Sequence, residues 1–214
     1  MWSELAAVEA AAPSWLELAA GLPASMRAGI ETSLRDSDRR LRLLGRLLLA
    51  RALVQLIGDG PHELAFDRLG RPEPIHGVDL SISHTSGLAC AAVGLRCRIG
   101  VDVEARRAIE PSLHYGVLAP EERRLVARSA DPDGDFLTFW TMKEAAAKAD
   151  GRGLHLDPRQ LRCRQGSAFR HQTVQADRVS YRVRALPLPR AWIGSLAYDS
   201  HFPLNVKAGA YSLS

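Results

Sequence analysis

The chain has 214 residues, 46% hydrophobic and 24% charged, a composition that excludes intrinsic disorder and suits one large domain or two small packed ones. A formal charge of +4 and a pI near 9.2 suit anionic partners such as nucleotides, coenzymes or acidic protein surfaces. Three cysteines without metal-ligand spacing (Cys90, Cys97, Cys163), no basic signal-peptide start and no apolar run of about 18 residues exclude a disulfide framework, a zinc site and a membrane span; a cytoplasmic protein is expected.

In chain order, Leu41, Leu44 and Leu48 recur at helical spacing between about Asp38 and Ile57, with Gly58 as the stop and Arg39, Arg40, Arg42, Arg46 and Arg51 around the helix. Short apolar segments split by turn residues follow: Glu63 to Asp67, the turn Leu69-Gly70-Arg71-Pro72, then Val78 to Ser83, Leu88 to Gly94 and Arg98 to Glu104. These predict a small sheet. After a linker from Ala105 to Pro111, Pro120 opens a helix whose Glu121 and Glu122 favour the positive end of its dipole. A second helix, capped by Asp133 or Asp135, has an apolar face of Phe136, Phe139, Trp140 and Ala147 and ends at Gly151 and Gly153. Strand-like segments occupy Gln160 to Arg164, Ala168 to Val174, Tyr181 to Leu186, Trp192 to Tyr198 and Asn205 to Tyr211. The order helix, strands, helix, strands predicts an α+β fold of two halves, residues 1–108 and 109–214.

The chemistry-bearing residues are few. On the segment Arg98 to Glu104, Asp102 and Glu104 are two apart, so a strand points both carboxylates to one face and Val101 and Val103 to the other. That pair is either a solvated strand face or a seat for a hard cation such as Mg²⁺, which takes a few carboxylates together with substrate phosphate oxygens. Glu144 and Lys148 are four apart on the second helix, which suits a surface ion pair as well as a site. Only Lys143, Lys148 and Lys207 are lysines, against 25 arginines among 28 basic residues. Two lysines flanking Glu144 in such a chain point to a need for compact ammonium groups, by chance or for a metal-bound polyanion. His84, at a strand end before Thr85, Ser86 and Gly87, is either polar surface or a ligand contact; Arg71 either clamps a phosphate or is merely soluble. No G-x-S-x-G, P-loop, Rossmann fingerprint or C-x-x-C competes, so phosphoryl chemistry by metal and positioning is the reading.

Three blocks resemble the Sfp-type 4′-phosphopantetheinyl transferases: GRP at 70–72 with SISHTSG at 81–87, GVDVE at 100–104, and WTMKEAAAKADGRGL at 140–154. The helix LRLLGRLLLARALV at 41–54 is similar to that family's N-terminal helix. The resemblance implies two pseudo-twofold-related α+β halves with coenzyme A between them, Asp102 and Glu104 coming from one half and Glu144 and Lys148 from the other. It implies that Asp102, Glu104 and Glu144 ligate Mg²⁺ and that Lys148 stabilises or protonates the departing phosphate. It also implies that His84 contacts phosphates, with Pro72, Ser83 and Lys143 beside the coenzyme, and that Arg71 with Arg40 or Arg42 holds the 3′-phosphate end. The reaction implied is attack by the serine hydroxyl of an acyl or peptidyl carrier protein on the β-phosphate, releasing adenosine 3′,5′-bisphosphate. Glu122 is the favoured base, with Glu121 and Glu144 as contenders. Ser81 stands where the family usually has asparagine, and Arg71 replaces a frequent lysine. A monomer with no nucleic-acid or membrane partner is expected. The competing readings are a non-catalytic coenzyme A or nucleotide-binding homologue and a metal-dependent nucleic-acid phosphodiesterase; the second lacks a basic stripe interleaved with aromatics.

Overall fold

A computed structural model describes residues 2–4, 20, 22–27, 30, 36–58, 62–67, 70–165 and 172–199. Its contacts fall into two units, one built from the chain up to Arg96 and the other from residues 97–203. Both mix helices with antiparallel sheet, so the fold class is α+β. No helix among the described residues is long and apolar enough to cross a membrane.

In the first unit, the short helix α1 (Ala24–Arg27) precedes α2 (Asp36–Ile57), which buries Leu41, Leu44 and Leu48 with Leu43, Leu49 and Leu53. Gly58, at a φ of 76°, ends α2 and donates its N–H to the Val54 carbonyl, as a left-handed cap does. Against α2 lie β1 (Trp2–Glu4), β2 (Val78–Thr85) and β3 (Leu88–Leu95) in the order β1-β3-β2. Thr85 faces Leu88 across a tight turn, where Gly87 takes a φ of 77°. Gly45 lets α2 approach β2, since a Cβ there would stand 2.7 Å from the Ile82 side chain. The expected segment Glu63 to Asp67 makes only an isolated bridge, Phe66 to Pro72.

In the second unit, β4 (Ile99–Ala105) leads through α3 (Leu113–Val117) and α4 (Pro120–Val126) to α5 (Pro132–Asp150). Two single turns of 3₁₀ helix at 153–155 and 158–160 precede β5 (Arg162–Gln165), β6 (Gln172–Ala176), β7 (Val179–Ala185) and β8 (Trp192–Asp199). The sheet runs β4-β8-β7-β6-β5, antiparallel throughout. The predicted strand at Asn205 to Tyr211, and residues 168–171 of another, lie outside the described residues.

This sheet corrects two expectations. Asp102 and Glu104 belong to the same unit as Glu144 and Lys148, and the units divide at residue 97 rather than after 108. The cause is pairing: β4 takes β8 as its partner, with Asp102 opposite Ser195 and Glu104 opposite Ile193, and does not extend the β2–β3 hairpin. The cap of α5 is Asp131, which accepts the Gly134 N–H at 3.0 Å, while Asp133 accepts from Ile109 N–H.

Candidate active site

The site forms where α5 crosses β4. Gly100 faces the helix: a Cβ there would collide with the Ala145 carbonyl oxygen and stand 2.6 Å from the Ala149 nitrogen. Glycine on the strand and alanines at 145, 146, 147 and 149 on the helix therefore let two backbones nearly touch. Because side chains alternate along a strand, Asp102 and Glu104 share the face of Gly100 and also meet α5. Trp140, Glu144 and Lys148, spaced by four, line one side of that helix. Thr141 fixes the helix against β8, its hydroxyl 3.0 Å from that of Ser195.

The contacts follow this alignment. Lys148 donates from Nζ to Asp102 Oδ1 at 2.8 Å and to the Val101 carbonyl at 3.0 Å. Trp140 donates its indole N–H to Glu104 Oε1 at 3.0 Å, and Arg107 donates to Glu104 Oε2 at 2.8 Å. Glu144 lies between Trp140 and Lys148 on the helix, and its carboxyl is pushed up to about 7. Burial is the largest cause; the Asp102 charge comes next, Lys148 offsets part of it, and Glu104 adds to it. Asp102, Glu104 and Glu144 therefore sense one another across the β4–α5 seam.

Among the described residues no three His, Cys, Asp or Glu side chains form a ready-made metal cage. Lys148, Trp140 and Arg107 hold oxygens that a cage would use. The donor set nevertheless fits a hard divalent cation. Asp102, Glu104 and Glu144 offer the carboxylate oxygens that Mg²⁺ takes, and burial first and the Asp102 charge second push the Glu144 carboxyl up, a cost that a bound cation would offset.

Two expected site residues have another occupation. Lys143, expected beside the coenzyme, is 0% exposed, and its ammonium donates to Glu122 Oε2 at 2.6 Å, the Val117 carbonyl at 2.8 Å and the Pro158 carbonyl at 2.9 Å. Glu122, the favoured base, is buried with both oxygens engaged: Oε2 also accepts the Ala119 N–H at 2.8 Å and Oε1 the Cys163 N–H at 3.2 Å. A buried carboxylate whose oxygens are already taken by three donors is a poor proton acceptor for an external hydroxyl. Glu121 is exposed and pairs with Arg162 at 3.2 Å. Burial, then the Glu122 charge, pushes the Cys163 thiol far up, so it offers no nucleophile.

In the first unit, Arg71 sits in a turn closed by its own N–H to Asp67 Oδ1 at 2.9 Å, and its guanidinium stands 3.9 Å from Asp79. Pro72 is buried. Ser83 is buried on β2 opposite Cys90, whereas His84, its neighbour, is exposed. Arg42 is exposed and Arg40 half-buried on α2. Arg46, named in the sequence only as part of the arginine-rich helix, donates to the Met26 carbonyl at 2.6 Å and lies 4.2 Å over the Phe66 ring. Trp140 and Arg107 were missed as partners of Glu104; the i, i+4 spacing from Trp140 to Glu144 was the available signal for the first.

Residues 98–197, which contain every carboxylate and lysine of this seam, match the model of the 4′-phosphopantetheinyl transferase superfamily. The chain is similar to the 4′-phosphopantetheinyl transferase HetI of Nostoc sp. strain PCC 7120, 31% identical over 149 residues, 64% of this chain. It spans 63% of that relative's length. A crystal structure of Thermotoga maritima holo-acyl-carrier-protein synthase is similar at a TM-score of 0.40 and 18% identity, over 47% of this chain and 61% of that one. Residues 98–197 of the chain are thus similar to the 4′-phosphopantetheinyl transferase superfamily.

Proposed function

We propose that the protein is an enzyme that moves the 4′-phosphopantetheine group of coenzyme A to a serine hydroxyl of an acyl or peptidyl carrier protein, with Mg²⁺, releasing adenosine 3′,5′-bisphosphate. The observation that carries this reading is the convergence of Asp102, Glu104 and Glu144 with Lys148 on the β4–α5 seam, inside the segment that matches the transferase superfamily model. Asp102 and Glu104, with Glu144, would hold Mg²⁺, which when bound supplies Lewis-acid stabilisation of the pyrophosphate oxygens.

The chain's own residues divide the remaining work. A bond forms between the serine oxygen and the β-phosphorus while the bond from that phosphorus to the oxygen of the departing adenosine bisphosphate breaks. Glu144, the carboxylate that the helix side of the seam contributes, takes the serine proton. Lys148, held at the seam by Asp102 and the Val101 carbonyl, brings a positive charge to the oxygens on which negative charge develops. Arg40, Arg42, Arg71, Pro72, Ser83 and His84 are assigned to the coenzyme's phosphates and nucleotide, with the exposed His84 and Arg42 the most accessible of them.

Incubation with coenzyme A, Mg²⁺ and a panel of apo carrier proteins, each then weighed by mass spectrometry, tests the proposal. One phosphopantetheine added to a carrier serine, and none in the presence of a chelator, is the expected result. No addition to any carrier contradicts it.

A further inference from the structure

Lys143 presents a fully buried ammonium beside the reacting helix face without belonging to it. Successive helix residues point about 100° apart, so Lys143 leaves the helix on a different side from Glu144 and Lys148. It ends among the carbonyls of Val117, at the close of α3, and Pro158, in a 3₁₀ turn, and the carboxylate of Glu122, on α4. Glu122 in turn holds the first turn of α4 through Ala119 and the edge strand β5 through Cys163. One salt bridge thus ties α5 to four other segments of its unit.

The choice of lysine follows from this cradle. An ammonium has three N–H donors, and three acceptors surround it at 2.6, 2.8 and 2.9 Å, so its hydrogen-bonding capacity is filled. A planar guanidinium could not meet acceptors arranged about a point, which explains a lysine here in a chain that otherwise uses arginine almost throughout.

We infer that Lys143 and Glu122 are positioning residues: their buried ion pair sets the rotation of α5 about its own axis, and so the placement of Glu144 and Lys148 against Asp102 and Glu104. Neither touches substrate. The inference rests on the transferase reading for its kinetic consequence, and its test separates the two.

Lys143→Met and Glu122→Gln are made singly and together, and kcat, KM for coenzyme A and the pH–rate profile are measured. Each single variant leaves one buried charge without its counter-ion, and kcat is expected to fall about a hundredfold with KM within about threefold of wild type, the mark of misplaced reacting groups. The double variant buries no charge; it is expected to regain at least about tenfold over either single variant and to keep the wild-type pH profile. A double variant as slow as Glu122→Gln alone, or loss of the acidic limb in Glu122→Gln, makes Glu122 the reacting base and overturns the inference.

A second measurement needs neither turnover nor a mutant: the native protein is treated with an amine-reactive acylating reagent, with and without coenzyme A, and mapped by mass spectrometry. Lys148 is expected to react and Lys143 to stay unmodified in both samples. Modification of native Lys143, whether or not coenzyme A shields it, overturns the inference. If the wild type modifies no carrier, the transferase reading fails and this labelling pattern alone decides the fate of the pair.

Discussion

Two lysines five positions apart on α5 each meet a carboxylate, and the two pairs differ in almost everything else. Lys148 and Asp102 meet at 2.8 Å with the lysine side chain 26% exposed, on the face where Glu144 is held near neutrality. Lys143 and Glu122 meet at 2.6 Å with the lysine 0% exposed and its remaining donors on backbone carbonyls. The charges are the same; solvent access and spare hydrogen-bonding capacity are not. The front pair can exchange partners when a polyanion arrives, whereas the back pair can only be broken. Burial and saturation of donors, more than chemical identity, separate the lysine proposed to react from the lysine proposed to hold the helix in place.

The largest effect that sharpens this contrast is Lys143→Met, which strands Glu122 in the interior and should destabilise the protein by about 4 kcal/mol. Urea unfolding measures it, and adding Glu122→Gln should recover most of the loss. Next is the pH dependence of Glu144. Below about pH 4.5 its carboxyl is protonated in folded and unfolded chains alike; as pH rises toward about 7 the folded state is increasingly penalised, by roughly 3 kcal/mol in full. Urea midpoints should therefore fall from pH 5 to pH 8 in the metal-free protein. Mg²⁺ should restore stability at pH 8 but not at pH 5, and Glu144→Gln should remove its part of the slope.

A smaller effect is expected at the seam itself. Gly100→Ala drives a methyl into the Ala145 carbonyl and must push β4 from α5, costing about 2 kcal/mol. It should also slow carrier modification, since Asp102 and Glu104 move with the strand. Last is Lys148→Met, which removes a 26% exposed ammonium from the buried Asp102 carboxylate and should cost about 2 kcal/mol. Its loss of turnover should exceed that cost by far, and a thermal melt set beside a rate measurement shows the opposite balance from Lys143→Met.

Much of the seam was legible because it rests on spacing. Alternation placed Asp102 and Glu104 on one strand face, and the fourfold spacing placed Glu144 with Lys148 on one helix face, as the structure has them. The long helix α2 and its Gly58 stop were legible for the same reason, a local period and a local cap. What failed depends on distant pairing or on groups without a sequence signature. Nothing near β4 says that its partner is β8, with Ile99 opposite Tyr198, so the strand was assigned to the wrong sheet and the unit boundary came too late. The acceptors of Lys143 at Val117 and Pro158 are backbone carbonyls, which every residue type offers. The sequence points to Asp133 or Asp135 as the cap; only the turn's geometry chooses Asp131. Gly100 read as one letter of GVDVE, and its reason, two backbones in contact, appears only when α5 is laid across it.

The central claim is that the front of α5 reacts and its back holds it in place. Single-turnover modification of an apo carrier protein, followed by mass spectrometry at saturating coenzyme A and Mg²⁺, tests it most directly when wild type, Glu144→Gln and the Glu122→Gln/Lys143→Met double variant run side by side. The account predicts a loss of about a thousandfold in Glu144→Gln, with the double variant much closer to wild type. A Glu144→Gln variant at the wild-type rate, or a folded double variant as inactive as Glu144→Gln, would contradict it.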